Sequence, residues 1–149
     1  MKLEWGLTAG NAEGEVNRLL AVSRKAEGGL PLTEAQARAV AQAHGEALRR
    51  TGRIEFGKSA AEKLAEVFAG SPWLTREEQG QQLAELAALF YDCRAELPDS
   101  LPDDWLLEQM RRAFDGPCRG CMELMNDCFL LQLPRHLRQG GRPEDFGRL

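Results

Sequence analysis

Three of the four cysteines of this 149-residue chain fall within GPCRGCMELMNDC, residues 116–128. Cys118 and Cys121 form a Cys-x-x-Cys pair directly behind Gly116-Pro117. With Cys128 and His136 they read Cys-x2-Cys-x6-Cys-x7-His, the residue types of a structural zinc site. The first spacing suits a metal knuckle, but the second does not. On one continuous helix Cys121 and Cys128 stand about 10.5 Å apart along the axis. Thiolates on one zinc lie within roughly 4 Å of each other, so zinc requires a chain reversal at Asn126-Asp127. A second chemistry is a reactive dithiol, because exposed amides at a helix N-terminus and a nearby cation such as Arg119 favour a thiolate. A third reading absorbs more of the neighbours. Cys121, Leu124, Met125, Cys128 and Leu131 recur at helical spacing, which predicts a buried stripe in which cysteine is a small apolar side chain. Cys93, three residues after Phe90, fits the same pattern.

The other candidates are thinner. His44 and His136 have no acid or nucleophile close in sequence, so both read as surface or boundary histidines. Glu55, inside GRIEFG, reads as an outward residue between Ile54 and Phe56, which are expected to point inward. Residues 52–59, GRIEFGKS, match a phosphate-binding loop pattern literally, with Lys58 and Ser59 as the residues it would use. Such a loop follows a strand, however, and residues 34–50 read as helix. Arginines gather at Arg49, Arg50 and Arg53 and again at Arg135, Arg138 and Arg142, where cations suit helix ends. Trp73 and Trp105 occupy helix starts, as staples or as anchors for a partner.

Positioning these residues falls to helices. A formal charge of −4 and a pI near 5.3 argue against a nucleic-acid partner. MKLEWGLTAG lacks the apolar region of a signal peptide, and the longest uncharged apolar run, LAALFY at 86–91, is too short for a bilayer. A cytoplasmic protein is expected, with its cysteines as thiols, ligands or redox centres.

Gly and Pro punctuate about six helices. The first runs from about Ala12 to Ala26, and Gly28-Gly29 end it. Thr33 with Gln36 forms a capping box for a helix over about 34–50, stopped by Gly52. Residues 52–57 make an extended connector. Ser59 with Glu62 opens a third helix, and Thr75 with Glu78 a fourth over roughly 76–97, carrying Leu83, Leu86, Ala87, Phe90 and Cys93 on one face. Ser100 is expected to cap a fifth over about 102–114. The last spans Pro117 to about Arg138, bent or split at Asn126-Asp127 and Pro134. The fold class expected is all-α, a single domain of five to seven helices in irregular or bundle-like packing, with an ordered core over 11–140 and tails at 1–10 and 141–149. The last tail is expected to be ordered only if Phe146 docks.

GLPLTEAQARAVAQAHGEALRRTGRIEFG, VFAGSPWL and LPDDWLLEQMRRAFDG resemble a family of small bacterial all-helical proteins catalogued as a domain of unknown function, over roughly residues 15–140. The resemblance implies a small helical protein encoded alone and brings no catalytic residues; the Cys-x-x-Cys pair is not part of it. The functional expectation is a non-enzymatic protein-interaction or structural domain, with Trp73, Trp105, Arg135 and Arg138 as partner-binding residues. The alternative is a thiol-based metal or redox module centred on Cys118 and Cys121, with zinc held by Cys118, Cys121, Cys128 and His136. Otherwise no cofactor is expected, and the partner is an unknown protein, with no membrane role and oligomeric state left open.

Overall fold

The computed structural model describes the backbone of residues 2–26 and 29–146, with side chains from residue 13 onward in that range. Its elements are α1 (Lys2–Lys25), α2 (Glu34–Thr51), α3 (Ala60–Phe68), α4 (Gln79–Arg94) and α5 (Asp103–Asp115). These are followed by α6 (Met122–Met125), a π-helical turn (Asn126–Leu130), α7 (Gln132–Arg138) and α8 (Pro143–Phe146). Taking α6, the π turn and α7 as one interrupted helix gives seven helices and no strand among the described residues. No described helix is long and apolar enough to cross a membrane.

Local chemistry sets most boundaries. Thr33 Oγ1 accepts from the Gln36 amide at 3.1 Å, and Gln36 Oε1 accepts from the Thr33 amide at 2.9 Å, the full capping box. Gly52, at φ 72°, ends α2 by donating to the Leu48 carbonyl. Ser59 caps α3 through the Glu62 amide, but the Glu62 carboxylate turns to Arg18 at 2.7 Å instead of reaching back. Two expected helix starts move and one expected cap is absent. α1 is helical from Lys2, through the segment assigned to an N-terminal tail. α4 begins at Gln79 because Thr75 caps only a turn, and Gln79 is buried with its amide on the Pro31 carbonyl at 3.0 Å. α5 starts at Asp103 after Pro102, without a Ser100 cap.

The core is apolar and continuous. α2 lies along α4, with α1, α3 and α5 around them. A Cβ on Gly80 would stand 2.9 Å from the Gln36 Cα, so only glycine allows this crossing of α4 and α2. Leu64, Phe68, Leu106, Leu107, Met110 and Phe114 are fully buried, with Phe68 and Phe114 edge to face at 5.4 Å.

The C-terminal stripe differs from expectation. Of Cys121, Leu124, Met125, Cys128 and Leu131, only Met125 is buried. The chain turns through 116–120 before α6, and the Leu131 amide then donates to the Asn126 carbonyl, five residues back. That extra residue in the turn shifts the register of the apolar face. Met125, Phe129, Leu130 and Leu133 face inward instead, and Cys121 and Cys128 are exposed. Cys93 and Cys118 are buried. The helical region is split at Asn126, as its Asn-Asp pair suggests. Phe146 of α8 packs on Phe129 and His136, each at 5.2 Å between ring centroids.

Candidate functional site

The connector 52–57 is extended, but with its two faces exchanged relative to expectation. Ile54 is 76% and Phe56 89% exposed, while the Glu55 side chain is 9% exposed. The period of two was right and its phase was wrong. What draws Glu55 inward is a set of donors that apolar patterning does not register. Its Oε1 lies 2.6 Å from His44 Nε2. Its Oε2 accepts from the Tyr91 hydroxyl at 2.7 Å, Arg53 Nε at 3.1 Å and the Ala60 amide at 3.3 Å.

His44 is the pivot of this network, and it is buried, not at the surface. It continues the inward face of α2 formed by Ala37, Val40 and Ala47. Nδ1 lies 2.6 Å from Glu15 Oε1 of α1, so each ring nitrogen meets a carboxylate. Burial disfavours the charged ring, but the hydrogen bonds to Glu15 and Glu55 and their negative charge outweigh it and push His44 up to about 9. Burial likewise opposes ionisation of Glu55, yet His44, Tyr91 and the Ala60 amide hold it below the usual carboxylate range. The Tyr91 hydroxyl is pushed well up, first by burial and then by Glu55. The His44 and Tyr91 rings stack at 5.5 Å, and the Arg53 guanidinium lies 5.6 Å from the Tyr91 centroid.

Arg53 extends the network to α5. It pairs with Asp103, which also accepts from Arg94 Nε at 2.8 Å. Both arginines hold Asp103 below its usual range against the opposing effect of burial. The cations His44, Arg53 and Arg94 balance the carboxylates Glu15, Glu55 and Asp103, and no buried side-chain nitrogen or oxygen among the described residues lacks a partner. Above it opens a cleft of about 660 Å³ lined by Glu15, His44, Glu55, Arg18, Arg38 and Arg49 among others. A protonated imidazole that donates from both nitrogens has no lone pair to offer, so in this state His44 is not a general base. The arrangement binds segments together: α1, α2, the connector, α3, α4 and α5 each contribute a group.

The residues singled out in the sequence are distributed elsewhere. Cys118 lies under the turn before α6, its thiol pushed up by burial and by the nearby Cys128 and Cys121. His136 does not join them: its Nε2 lies 2.9 Å from the Arg142 carbonyl and its ring rests on Phe146. Among the described residues no group of three His, Cys, Asp or Glu side chains is arranged to hold a metal ion. Trp73 is 40% exposed and donates from Nε1 to the Asp115 carbonyl at 3.2 Å, whereas Trp105 is half-buried against the core. Arg135 and Arg138 are exposed on α7. GRIEFGKS follows a helix, Ser59 is buried as the α3 cap, and Lys58 pairs with Glu66, so the phosphate-loop residues are already engaged.

Glu15, Arg53, Tyr91, Arg94 and Asp103 were not foreseen as a group. One signal was present: His44 falls in phase with Ala37, Val40 and Ala47, and a histidine on a buried stripe requires partners.

Residues 18–143 match a family of unknown function (DUF6323). Comparison with curated proteins and with solved structures gives no match.

Proposed function

The chain belongs to this family, whose description assigns no activity, and from its geometry we propose that it is a protein-interaction module docking a partner through Ile54 and Phe56. The observation that carries this reading is the orientation of the connector. Burying a side chain such as Ile or Phe contributes roughly 1.5–3 kcal/mol, yet both are held in solvent. A shift of one residue would turn them inward and expose Arg53 and Glu55. Four donors on Glu55 oppose that shift, and Gly52 and Gly57, both at φ 72°, shape the chain at either end.

The result is two adjacent large apolar groups presented on a restrained backbone, the combination that dominates binding at protein interfaces. Restraint before binding reduces the ordering cost on docking. Trp73, Trp105, Arg135 and Arg138 are not required by this reading.

The test places a photo-reactive phenylalanine analogue at position 56 in cells and compares it with the same group at the exposed Gln81 of α4. A discrete adduct from position 56, lost on Ile54→Ser with the melting temperature unchanged, supports docking. The same adducts from both positions, or none from position 56, overturn it.

A further inference from the structure

The densest chemistry in the sequence takes no part in the His44 network. Between α5 and α6 the chain reverses at Cys118-Arg119-Gly120-Cys121. The Cys121 amide donates to the Cys118 carbonyl at 2.9 Å, and the two central residues have φ of 47° and 77°. A four-residue turn with both central residues at positive φ is of type I′. Arg119 is the only non-glycine residue at positive φ among those described. The turn is tied to the end of α5 by the Cys118 amide on the Ala113 carbonyl at 3.0 Å and the Gly120 amide on the Phe114 carbonyl at 2.7 Å.

This geometry brings the two thiols within disulfide reach of each other. A β-turn holds its first and fourth Cα atoms within about 7 Å, and disulfides join Cα atoms about 4.4–6.8 Å apart. Cys121 is exposed and Cys118 lies beneath it at 5% exposure. Cys128 is also exposed and lies near Cys118, but it sits on the π turn beyond α6 and outside this reverse turn, and Cys93 is buried with its thiol 3.6 Å from the Leu130 carbonyl.

We propose that Cys118 and Cys121 form a dithiol oxidised by peroxides, in which Cys121 reacts first and Cys118 resolves it. The Cys121 thiolate attacks a peroxide oxygen; an S–O bond forms, the O–O bond breaks, and the leaving oxygen departs as water or an alcohol after taking a proton. The Cys118 sulfur then attacks the sulfenic sulfur of Cys121, forming the S–S bond and releasing the hydroxyl as water with the Cys118 proton. Two thiols are oxidised, and one peroxide accepts both electrons. The burial that keeps Cys118 protonated also keeps it from reacting with peroxide in place of Cys121.

The turn has an observer. A Cβ on Gly120 would stand 2.6 Å from the Trp73 Cβ and 2.9 Å from its Cγ, so the Trp73 side chain rests on the turn backbone. Its Nε1 reaches the Asp115 carbonyl, and Asp115 is held by Ser71 Oγ at 2.6 Å. Closing the disulfide moves this backbone and is reported at Trp73. The inference is independent of docking through Ile54 and Phe56, which lie on the connector.

The reduced, full-length protein is titrated with hydrogen peroxide and followed by intact mass, tryptic mapping and tryptophan fluorescence. Trypsin cuts after Arg119, placing Cys118 in peptide 113–119 and both Cys121 and Cys128 in peptide 120–135, so fragmentation of the joined pair and the Cys128→Ser variant assign the link. The expected product has lost about 2 Da, with those peptides joined through Cys118 and Cys121 and separated again by dithiothreitol. Cys128→Ser retains the link, and Cys121→Ser slows peroxide-dependent thiol loss by at least about tenfold. The fluorescence change is reversed by dithiothreitol and absent in Trp73→Phe. A link from Cys118 or Cys121 to Cys128, disulfide-joined dimers, overoxidation of Cys121 without a link, or no reaction would each overturn the proposal.

Discussion

Phe114 and Glu55 are both interior groups, held by opposite means. Phe114 is fully buried against Phe68 among leucines and a methionine, where any side chain of similar shape would serve. Glu55 is nearly as enclosed, but it is held by four directed donors, none of which a different side chain could satisfy in the same way. The apolar centre tolerates exchange and fixes no single orientation by itself. The polar centre fixes which face of the connector turns inward, and so which side chains the surface shows.

That contrast can be broken by substitution. Phe114→Ala leaves a cavity and is expected to cost about 3–5 kcal/mol in denaturant unfolding. Glu55→Ala removes the acceptor of His44 Nε2, the Tyr91 hydroxyl and Arg53 Nε, leaving His44 only Glu15 and Arg53 only Asp103, with an expected cost of the same size, about 3–5 kcal/mol. The two losses separate by coupling: Glu55→Ala is strongly non-additive with His44→Gln, whereas Phe114→Ala adds to His44→Gln within about 0.5 kcal/mol. A Glu55→Ala cost below about 1 kcal/mol would mean that the network is incidental to the fold.

The pH dependence sharpens the comparison further. His44 is raised from 6.5 to about 9 in the folded chain. Its contribution is therefore fully present below about pH 6.5 and is lost as pH rises through about 9, a change on the order of 3 kcal/mol. Glu55 and Asp103 are lowered, so their contributions are present above the ordinary carboxylate range and fall away in acid. Stability is expected to peak between that range and about pH 6.5, and unfolding midpoints measured from pH 4 to 10 read the curve directly. The part of the alkaline limb between about pH 6.5 and 9 should disappear in His44→Gln and persist in Phe114→Ala, while the raised Cys93, Cys118 and Tyr91 still lower stability above about pH 9. An unchanged limb below about pH 9 in His44→Gln would remove His44 as its source.

The smallest effect is expected at the surface. Phe56→Ser should alter the melting temperature by no more than the equivalent of about 0.5 kcal/mol, since the ring is 89% exposed. A larger loss would show that the ring supports the fold from outside.

The helical part of this architecture was legible because caps and apolar spacing are local. Thr33 with Gln36, Gly52 and the Leu83–Phe90 stripe each state their role within a few residues. The connector was not legible, because its phase depends on Glu15, Tyr91 and Asp103, which are remote in sequence and individually unremarkable. The C-terminal stripe failed for a different reason. A single extra residue in one helical turn rotates everything after it, and that residue leaves no mark in composition. The thiols were legible as a motif, but their sorting into Cys118 beneath and Cys121 and Cys128 outside required the turn and the π segment to be placed.

The span of the charge network bears on time as well as on stability. Glu15 and Asp103 stand near opposite ends of the first five helices, so the chain from α1 to α5 must already be assembled before all six charged groups can meet. Interactions that form only after the folding transition state act mainly on the rate of escape from the native state. The buried charges would then serve as a latch on an already folded chain, setting how long the native state persists and leaving the speed of its formation to the apolar helices.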